Sequence, residues 1–213
     1  MRVDHWMTRY PATIELDQPV GKAIQLLKER KVRRLPVLRD GKLVGIVTDR
    51  NLKEAQPSQA TSLDIWELHF LLEKLKVSDV MSKRLFTIAP DDTIEKAAMI
   101  MLEKKVGGLP VVDAAGALVG MLTQGDVFRA LVDVTGVKFK KTRVSLLLPD
   151  EAGSIRELAD ACRLHGKIIS ILVSYNQVPA GMREVIMRID TSDARALKAD
   201  LESRFGSVTV AQD

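Results

Sequence analysis

Two stretches decide the fold: Lys31-Val32-Arg33-Arg34-Leu35-Pro36-Val37 and, 74 positions on, Lys105-Val106-Gly107-Gly108-Leu109-Pro110-Val111. They are two copies of one segment. The same offset lays Val3-Asp4-His5-Trp6-Met7 on Val77-Ser78-Asp79-Val80-Met81 and Thr13-Ile14 on Thr87-Ile88. One inserted residue before Gly116 moves the offset to 75. Gly41-Lys42-Leu43-Val44-Gly45-Ile46-Val47-Thr48 then matches Gly116-Ala117-Leu118-Val119-Gly120-Met121-Leu122-Thr123. An internal repeat of this kind implies two similar units packed about a pseudo-twofold axis.

Each copy reads as strand, helix, strand, strand, helix. A short strand ends near Ile14 or Ile88. An acidic cap, Asp17 or Asp92 with Glu95 three residues on, opens a helix striped by Val20, Ala23, Ile24 and Leu27 or by Ile94, Ala97, Ala98 and Met101. Two apolar runs follow, Leu35–Leu38 and Leu43–Val47, joined by Asp40-Gly41, a strong hairpin signal; Ala114-Ala115-Gly116 joins the second pair. A second helix begins beside Thr48 or Thr123. Between the copies, Thr61 and Asp64 read as the cap of an extra helix striped by Ile65, Leu68, Leu72 and Leu75, with Trp66 and Phe70 adding bulk.

These residues resemble the CBS-domain (cystathionine-β-synthase domain) family, whose tandem pairs form a Bateman module. The resemblance rests on Met7 and Met81, the two Leu-Pro-Val runs, and the closing segments Gly45–Asn51 and Gly120–Asp126. It implies a pair that binds an adenine nucleotide or adenosyl compound (AMP, ADP, ATP or S-adenosylmethionine), with no required cofactor and no catalysis of its own. In that family a Thr-x-x-Asp pattern holds adenosine, which points to Thr123 and Asp126. The first copy has Thr48 with Asn51, and places Arg33-Arg34 where the family often puts phosphate-binding cations. The copies therefore diverge in complementary ways: one keeps the basic pair, the other the acid, with Gly107-Gly108 in place of the arginines. Either two incomplete sites exist, or one working site takes contacts from both copies. A Thr-x-x-acid at a helix start is also a capping box that needs no ligand, and both readings stay open.

The last third changes pattern. Val144, Leu146 and Leu148 alternate as in a strand; Pro149–Gly153 turns; Ile155, Leu158, Ala159 and Cys162 repeat at helical spacing, with Gly166 as the C′ residue. Ile168–Tyr175 and Arg183–Asp190 read as strands. Thr191 or Ser192 caps a final helix carrying Ala194, Leu197, Leu201 and Phe205, Gly206 ends it, and Val208–Val210 is a last strand. This βαββαβ order is the ferredoxin-like arrangement. With its turn, residues 142–213 resemble the ACT domain, a module that binds amino acids at dimer interfaces, which would place a ligand at Asp150, Glu151, Gly153 and Ser154. A CBS pair followed by an ACT domain resembles the AcuB-type acetoin-utilisation proteins.

The expectation is thus an α+β chain: a first CBS unit at 1–57, a linker helix at 58–76, a second CBS unit at 77–135 and an ACT-like domain at 136–213. Composition agrees with a globular protein, with 213 residues, 46% hydrophobic and 28% charged. No apolar run approaches the roughly 18 residues of a spanning helix, and the first residues lack a secretory signal, so a cytoplasmic protein without a membrane partner is expected. Cys162 is the only cysteine and His5, His69 and His165 are scattered, which disfavours disulfide and metal readings. The charge of +4 is uneven: residues 1–56 hold 12 Lys/Arg against 7 Asp/Glu. Seven of those cations, from Lys28 to Lys42, crowd into fifteen positions with few aromatics beside them. That patch suits a compact anion better than nucleic acid, which wants stacking platforms too. No Walker loop, Gly-x-Ser-x-Gly elbow or His-Glu-x-x-His occurs. A sensor is the leading reading; a structural oligomerisation module with vestigial sites and an acetoin-utilisation enzyme are the alternatives. A homodimer is expected, because a lone βαββαβ sheet leaves its edges open.

Overall fold

The computed structural model describes residues 1–55 and 73–211. By its contacts the chain divides into two units, Met1–Val127 and Phe128–Asp213.

The first unit contains both repeats. Its elements run β1 (Thr8–Arg9), β2 (Ile14–Glu15), α1 (Val20–Glu29), β3 (Arg34–Arg39), β4 (Lys42–Thr48) and α2 (Asp49–Glu54), then α3 (Val77–Val80), α4 (Ile94–Lys104), β5 (Gly108–Val112), β6 (Leu118–Thr123) and the start of α5 (Gln124–Val134). In the first copy β2 pairs in parallel with β3, and β3 pairs antiparallel with β4. In the second, Ile88 bridges Val111 in parallel and β5 pairs antiparallel with β6. Asp40 and Gly41 both take positive φ, 51° and 74°, the geometry a two-residue hairpin needs to match strand twist. The apolar stripe read for α1 buries Val20, Ala23 and Leu27 against Leu35, Val37 and Val47 of the sheet. Burying each of these valine and leucine side chains contributes about 1.5–3 kcal/mol of hydrophobic stabilisation.

The copies exchange their leading segments. β1, which opens the first copy, pairs with β6 of the second, Thr8 opposite Met121 and Arg9 opposite Gly120. Reciprocally, Ser82 and Ile46 exchange both backbone hydrogen bonds, at 2.9 and 3.0 Å. Met7 lies against Gly120 and Met81 against Gly45, and a Cβ at either glycine would overlap the methionine sulfur. The matched Met and Gly of the repeat are thus one contact, made twice across the pseudo-twofold axis.

Three helix starts differ from the sequence expectation. α1 begins at Val20 after Pro19 and has no side-chain cap, so Asp17 is not one. α4 is capped by Thr93, which accepts from Lys96 N–H at 3.1 Å; Asp92 instead accepts from Ala89 N–H in the preceding turn. The last helix is capped by Asp193 rather than Thr191 or Ser192, because the Asp193 carboxylate accepts two N–H groups, from Arg195 and Ala196, both at 3.0 Å. The inserted helix expected from Thr61 and Asp64 lies outside the described residues, apart from its last member, Leu75, which packs on the first copy's core.

In the second unit β7 (Thr142–Pro149), α6 (Ser154–Cys162), β8 (Gly166–Ser174), β9 (Met182–Thr191), α7 (Ala194–Phe205) and β10 (Val208–Ala211) follow in order. The sheet order is β10-β7-β9-β8 with every pair antiparallel, which is the split βαββαβ topology. Val144, Leu146 and Leu148 point to one face and bury against Leu158 and Cys162 of α6 and Leu197 and Leu201 of α7. Cys162 is fully buried, and that burial pushes its thiol pKa up to about 11. Gly166 does not cap α6. It is the first residue of β8, and its glycine is required because a Cβ would collide with the backbone of Asp190. Among the described residues no helix is long and apolar enough to cross a membrane.

Candidate functional site

In each copy the third strand ends on a threonine that starts a helix. Thr48 caps α2: its N–H and hydroxyl donate to Asn51 Oδ1 at 3.1 and 2.6 Å, and Asn51 N–H donates back to Thr48 Oγ1 at 3.3 Å. Thr123 stands at the same place before α5. Its N–H and hydroxyl both donate to Asp126 Oδ2 at 2.7 Å, and Asp126 N–H returns to Thr123 Oγ1 at 3.4 Å. Both junctions are therefore closed capping boxes. Only the threonine N–H bond is shorter in the second copy, 2.7 against 3.1 Å, while the hydroxyl and return bonds differ by 0.1 Å in the other direction. Asp126 is only 2% exposed, whereas Asn51 is half-buried.

The neighbouring strand is fixed to each junction. Arg34 pairs with Thr48 in the β3–β4 register and Gly108 with Thr123 in the β5–β6 register. Asp49 N–H donates to Arg33 O at 3.0 Å, and Gln124 N–H to Gly107 O at 3.1 Å. Arg34 and Gly108 are thus equivalent positions, and the Arg34 side chain crosses from one copy to the other. A Cβ at Gly107 would lie 2.7 Å from Arg34 Nη2, and one at Gly108 would overlap Arg34 Nη1. Burial lowers the pKa of Arg34, and this is opposed by the negative charges of Asp49 and Asp126. The guanidinium therefore sits close enough to feel acids from both copies.

Arg33 goes elsewhere. It lines a pocket of about 370 Å³ between α1 and α2, floored by Ile24, Leu27 and Leu52 and rimmed by Lys28, Lys53 and Asp49. The structure thus brings Arg34 to the second copy's junction and leaves Thr48 and Asn51 at the first. Arg33 takes a third location.

In the second unit, Asp150, Glu151, Gly153 and Ser154 form the turn between β7 and α6. The Ser154 hydroxyl is bonded to Pro149 O at 2.9 Å and Glu151 O at 3.1 Å. Arg183, which the sequence did not single out, holds the turn: it donates to Glu151 O at 2.9 Å and Ser154 Oγ at 2.7 Å and pairs with Asp150 at 3.2 Å. The signal for it was the β7–β9 register, Leu148 opposite Arg183, which strand periodicity alone does not supply. A crevice of about 460 Å³ beside the turn is lined by Leu147, Pro149, Glu151, Ser154 and Arg204.

The CBS domain model matches residues 3–58 and 77–133, the two copies of the repeat. The chain belongs to the CBS-domain family. A CBS domain-containing protein of Dictyostelium discoideum is 36% identical over 133 residues, 62% of this chain and 92% of that protein. CBSX2 of Arabidopsis thaliana, crystallised in complex with AMP, is 36% identical with a TM-score of 0.51, covering 64% of this chain and 98% of that one. A Vibrio cholerae protein named for acetoin utilization (AcuB) is 27% identical with a TM-score of 0.54, over 66% and 97%. The likeness to each is a likeness of the CBS pair, and the exchange of leading segments described above is how this pair closes.

Proposed function

We propose that this chain is a regulatory, non-catalytic sensor whose CBS pair binds an adenine nucleotide or adenosyl compound, drawn from AMP, ADP, ATP and S-adenosylmethionine. The observation that carries the reading is the 36% identity, over 64% of this chain and 98% of the crystallised chain, to CBSX2, which was crystallised with AMP. Thr123 and Asp126 serve the sugar and phosphate region, Thr48 and Asn51 offer the weaker amide counterpart, and Arg34 and Arg33 supply positive charge. Because Asp126 is 2% exposed and closed into its box, binding there requires a local opening at the start of α5. The ligand acts by favouring one arrangement of the chain over another, to the extent of its differential affinity.

The second unit is read as an ACT-like module that takes an amino acid at the Asp150–Ser154 turn. Arg183 offsets the charge of Asp150 there, which removes part of the repulsion a ligand carboxylate would meet. In a cytoplasmic homodimer the open edge of β8, paired only with β9 among the described residues, would be covered. Light scattering at twice the 23.6 kDa chain mass supports the dimer, and the chain mass at tens of micromolar contradicts it.

A second reading, a structural module with vestigial sites, is favoured by one observation: both the Thr48–Asn51 and the Thr123–Asp126 pairs are satisfied as helix caps without any ligand. A thermal-shift screen of the full chain with AMP, ADP, ATP, S-adenosylmethionine and the amino acids separates the two. Stabilisation by an adenine compound at millimolar concentration supports the sensor; a flat response to every adenine compound supports the structural module.

A further inference from the structure

The junctions at Thr48 and Thr123 use only part of the first copy's positive charge. The pocket between α1 and α2 takes up another part. Its floor is aliphatic, formed by Ile24, Leu27 and Leu52, and its rim sets Lys28 of α1, Lys53 of α2 and Arg33 against a single acid, Asp49. Among the described residues none of these three cations has a hydrogen bond or ion pair, whereas on the same stretch of chain Lys22 donates to Gln18 and Arg50 to Glu54, each at 2.8 Å. The Asp49 carboxylate already accepts from Arg50 N–H at 3.0 Å. The repeat shows that the fold does not require charge at these places. At the matching positions of the second copy Lys28, Arg33 and Lys53 are replaced by Leu102, Gly107 and Phe128, and both Leu102 and Phe128 are exposed. The cations are therefore a property of the first copy's pocket and not of the repeat.

We propose that the α1–α2 pocket of the first copy binds a small organic acid with an apolar body, the hydrocarbon part lying on Ile24, Leu27 and Leu52 and the carboxylate meeting Lys28 and Lys53 at the rim. Two forces act together there. Burial of apolar surface is non-directional and sets the size of the ligand; the exposed ammonium groups attract weakly one by one, because water screens them, but they fix its sign and orientation. A compact anion gains only the second, and an organic cation of the same shape is repelled. Thr48, Asn51, Thr123 and Asp126 do not line the pocket, so an organic acid and a nucleotide bind independently of each other.

Calorimetric titration of the full chain with hexanoate, acetate and hexylammonium tests this in wild type and in a double variant, Lys28→Gln with Lys53→Gln. Both substitutions fall on exposed helix positions and leave Arg33 in place. Urea midpoints are measured alongside and are expected to agree; a double variant that loses its folding transition is replaced by Lys53→Gln alone. The expected result is saturable binding of hexanoate to wild type at millimolar concentration, acetate weaker by about tenfold or more, and no binding of hexylammonium. Hexanoate affinity is expected to fall by about fivefold or more in the double variant and to be unchanged by millimolar AMP. Equal hexanoate affinity in the two proteins, hexylammonium binding as tight as hexanoate, or no saturable event with hexanoate overturns the inference. Displacement of hexanoate by AMP also overturns it, while supporting the nucleotide reading. Hexanoate binding that depends on the two lysines, in a chain that takes no AMP, sustains the pocket and overturns the nucleotide reading alone.

Discussion

Arg34 and Gly108 stand at equivalent positions in the two copies, and the guanidinium of Arg34 occupies the volume into which a side chain at Gly108 would project. The repeat is therefore symmetric in backbone and asymmetric in chemistry. Exchange of β1 and of the Ser82 bridge ties each copy to the other's sheet, so a charge placed by one copy is held in a fixed register against the junction of the other.

The box at Thr123 separates a folding role from a ligand role. Asp126→Ala leaves a half-buried N–H and hydroxyl without their acceptor and is expected to lower stability by about 1–2 kcal/mol in urea melts. Asp126→Asn keeps an acceptor in the geometry that Asn51 already uses in the first copy, and is expected to cost less than half as much. Equal losses in the two variants would show that the carboxylate charge, rather than the acceptor, stabilises the start of α5.

At the entry to β8, Gly166 faces Asp190 so closely that a methyl group would strike its backbone oxygen and carbon. Neither atom can turn away as a side-chain end could. Gly166→Ala is expected to destabilise the second unit by about 1–3 kcal/mol, read as a shift of its urea midpoint. An unchanged midpoint would mean that the β8–β9 register at Gly166 and Thr191 slips at little cost.

How legible these features were depends on their range. The repeat, its strands and helices, the Asp40-Gly41 turn and the βαββαβ order follow from local periodicity, and Val144, Leu146 and Leu148 bury as their alternation implies. Gly166 was misread because a glycine after a helix looks the same whether it caps that helix or lets two strands approach. Asp193 was missed beside Thr191 and Ser192 because all three are cap formers, and only the path of the chain decides between neighbours. β1 spans two residues, too short for any period, and its partner lies more than a hundred positions away. At the candidate site, both junctions, Thr48 with Asn51 and Thr123 with Asp126, could be read from spacing. The crossing of Arg34, the departure of Arg33 to the α1–α2 pocket and the hold of Arg183 on its turn depend on contacts between distant segments.

Asp200 is positioned to make the second unit sensitive to acid. Hydrogen bonds from His165 Nε2 and Arg204 Nε, each at 2.8 Å, hold its carboxyl below the usual value of 3.8. A carboxylate whose pKa is depressed by folding stabilises the protein above its unfolded value, and that contribution is lost as pH falls through the lower folded value. Wild type is therefore expected to exceed Asp200→Asn in urea midpoint at pH 5, and the gap to close below pH 3.8. A gap that is the same at pH 5 and pH 3 would contradict the assignment.

Cys162 combines complete burial with a thiol pKa of about 11, and the thiolate is the reactive form. At pH 8 the folded protein is expected to resist a disulfide reagent such as DTNB over a time in which the denatured chain reacts fully. Rapid labelling of the folded chain would show that α6 opens readily.

The central claim is that the CBS pair binds an adenine nucleotide at the junction of Thr123 and Asp126. It is tested most directly by titrating the full chain with AMP in a calorimeter beside Asp126→Asn, with the urea midpoints of both proteins in hand. The account predicts a saturable event in wild type that weakens tenfold or more in the variant, while the two midpoints differ little. Equal AMP affinities in the two proteins, or no heat from wild type at millimolar AMP, would contradict it.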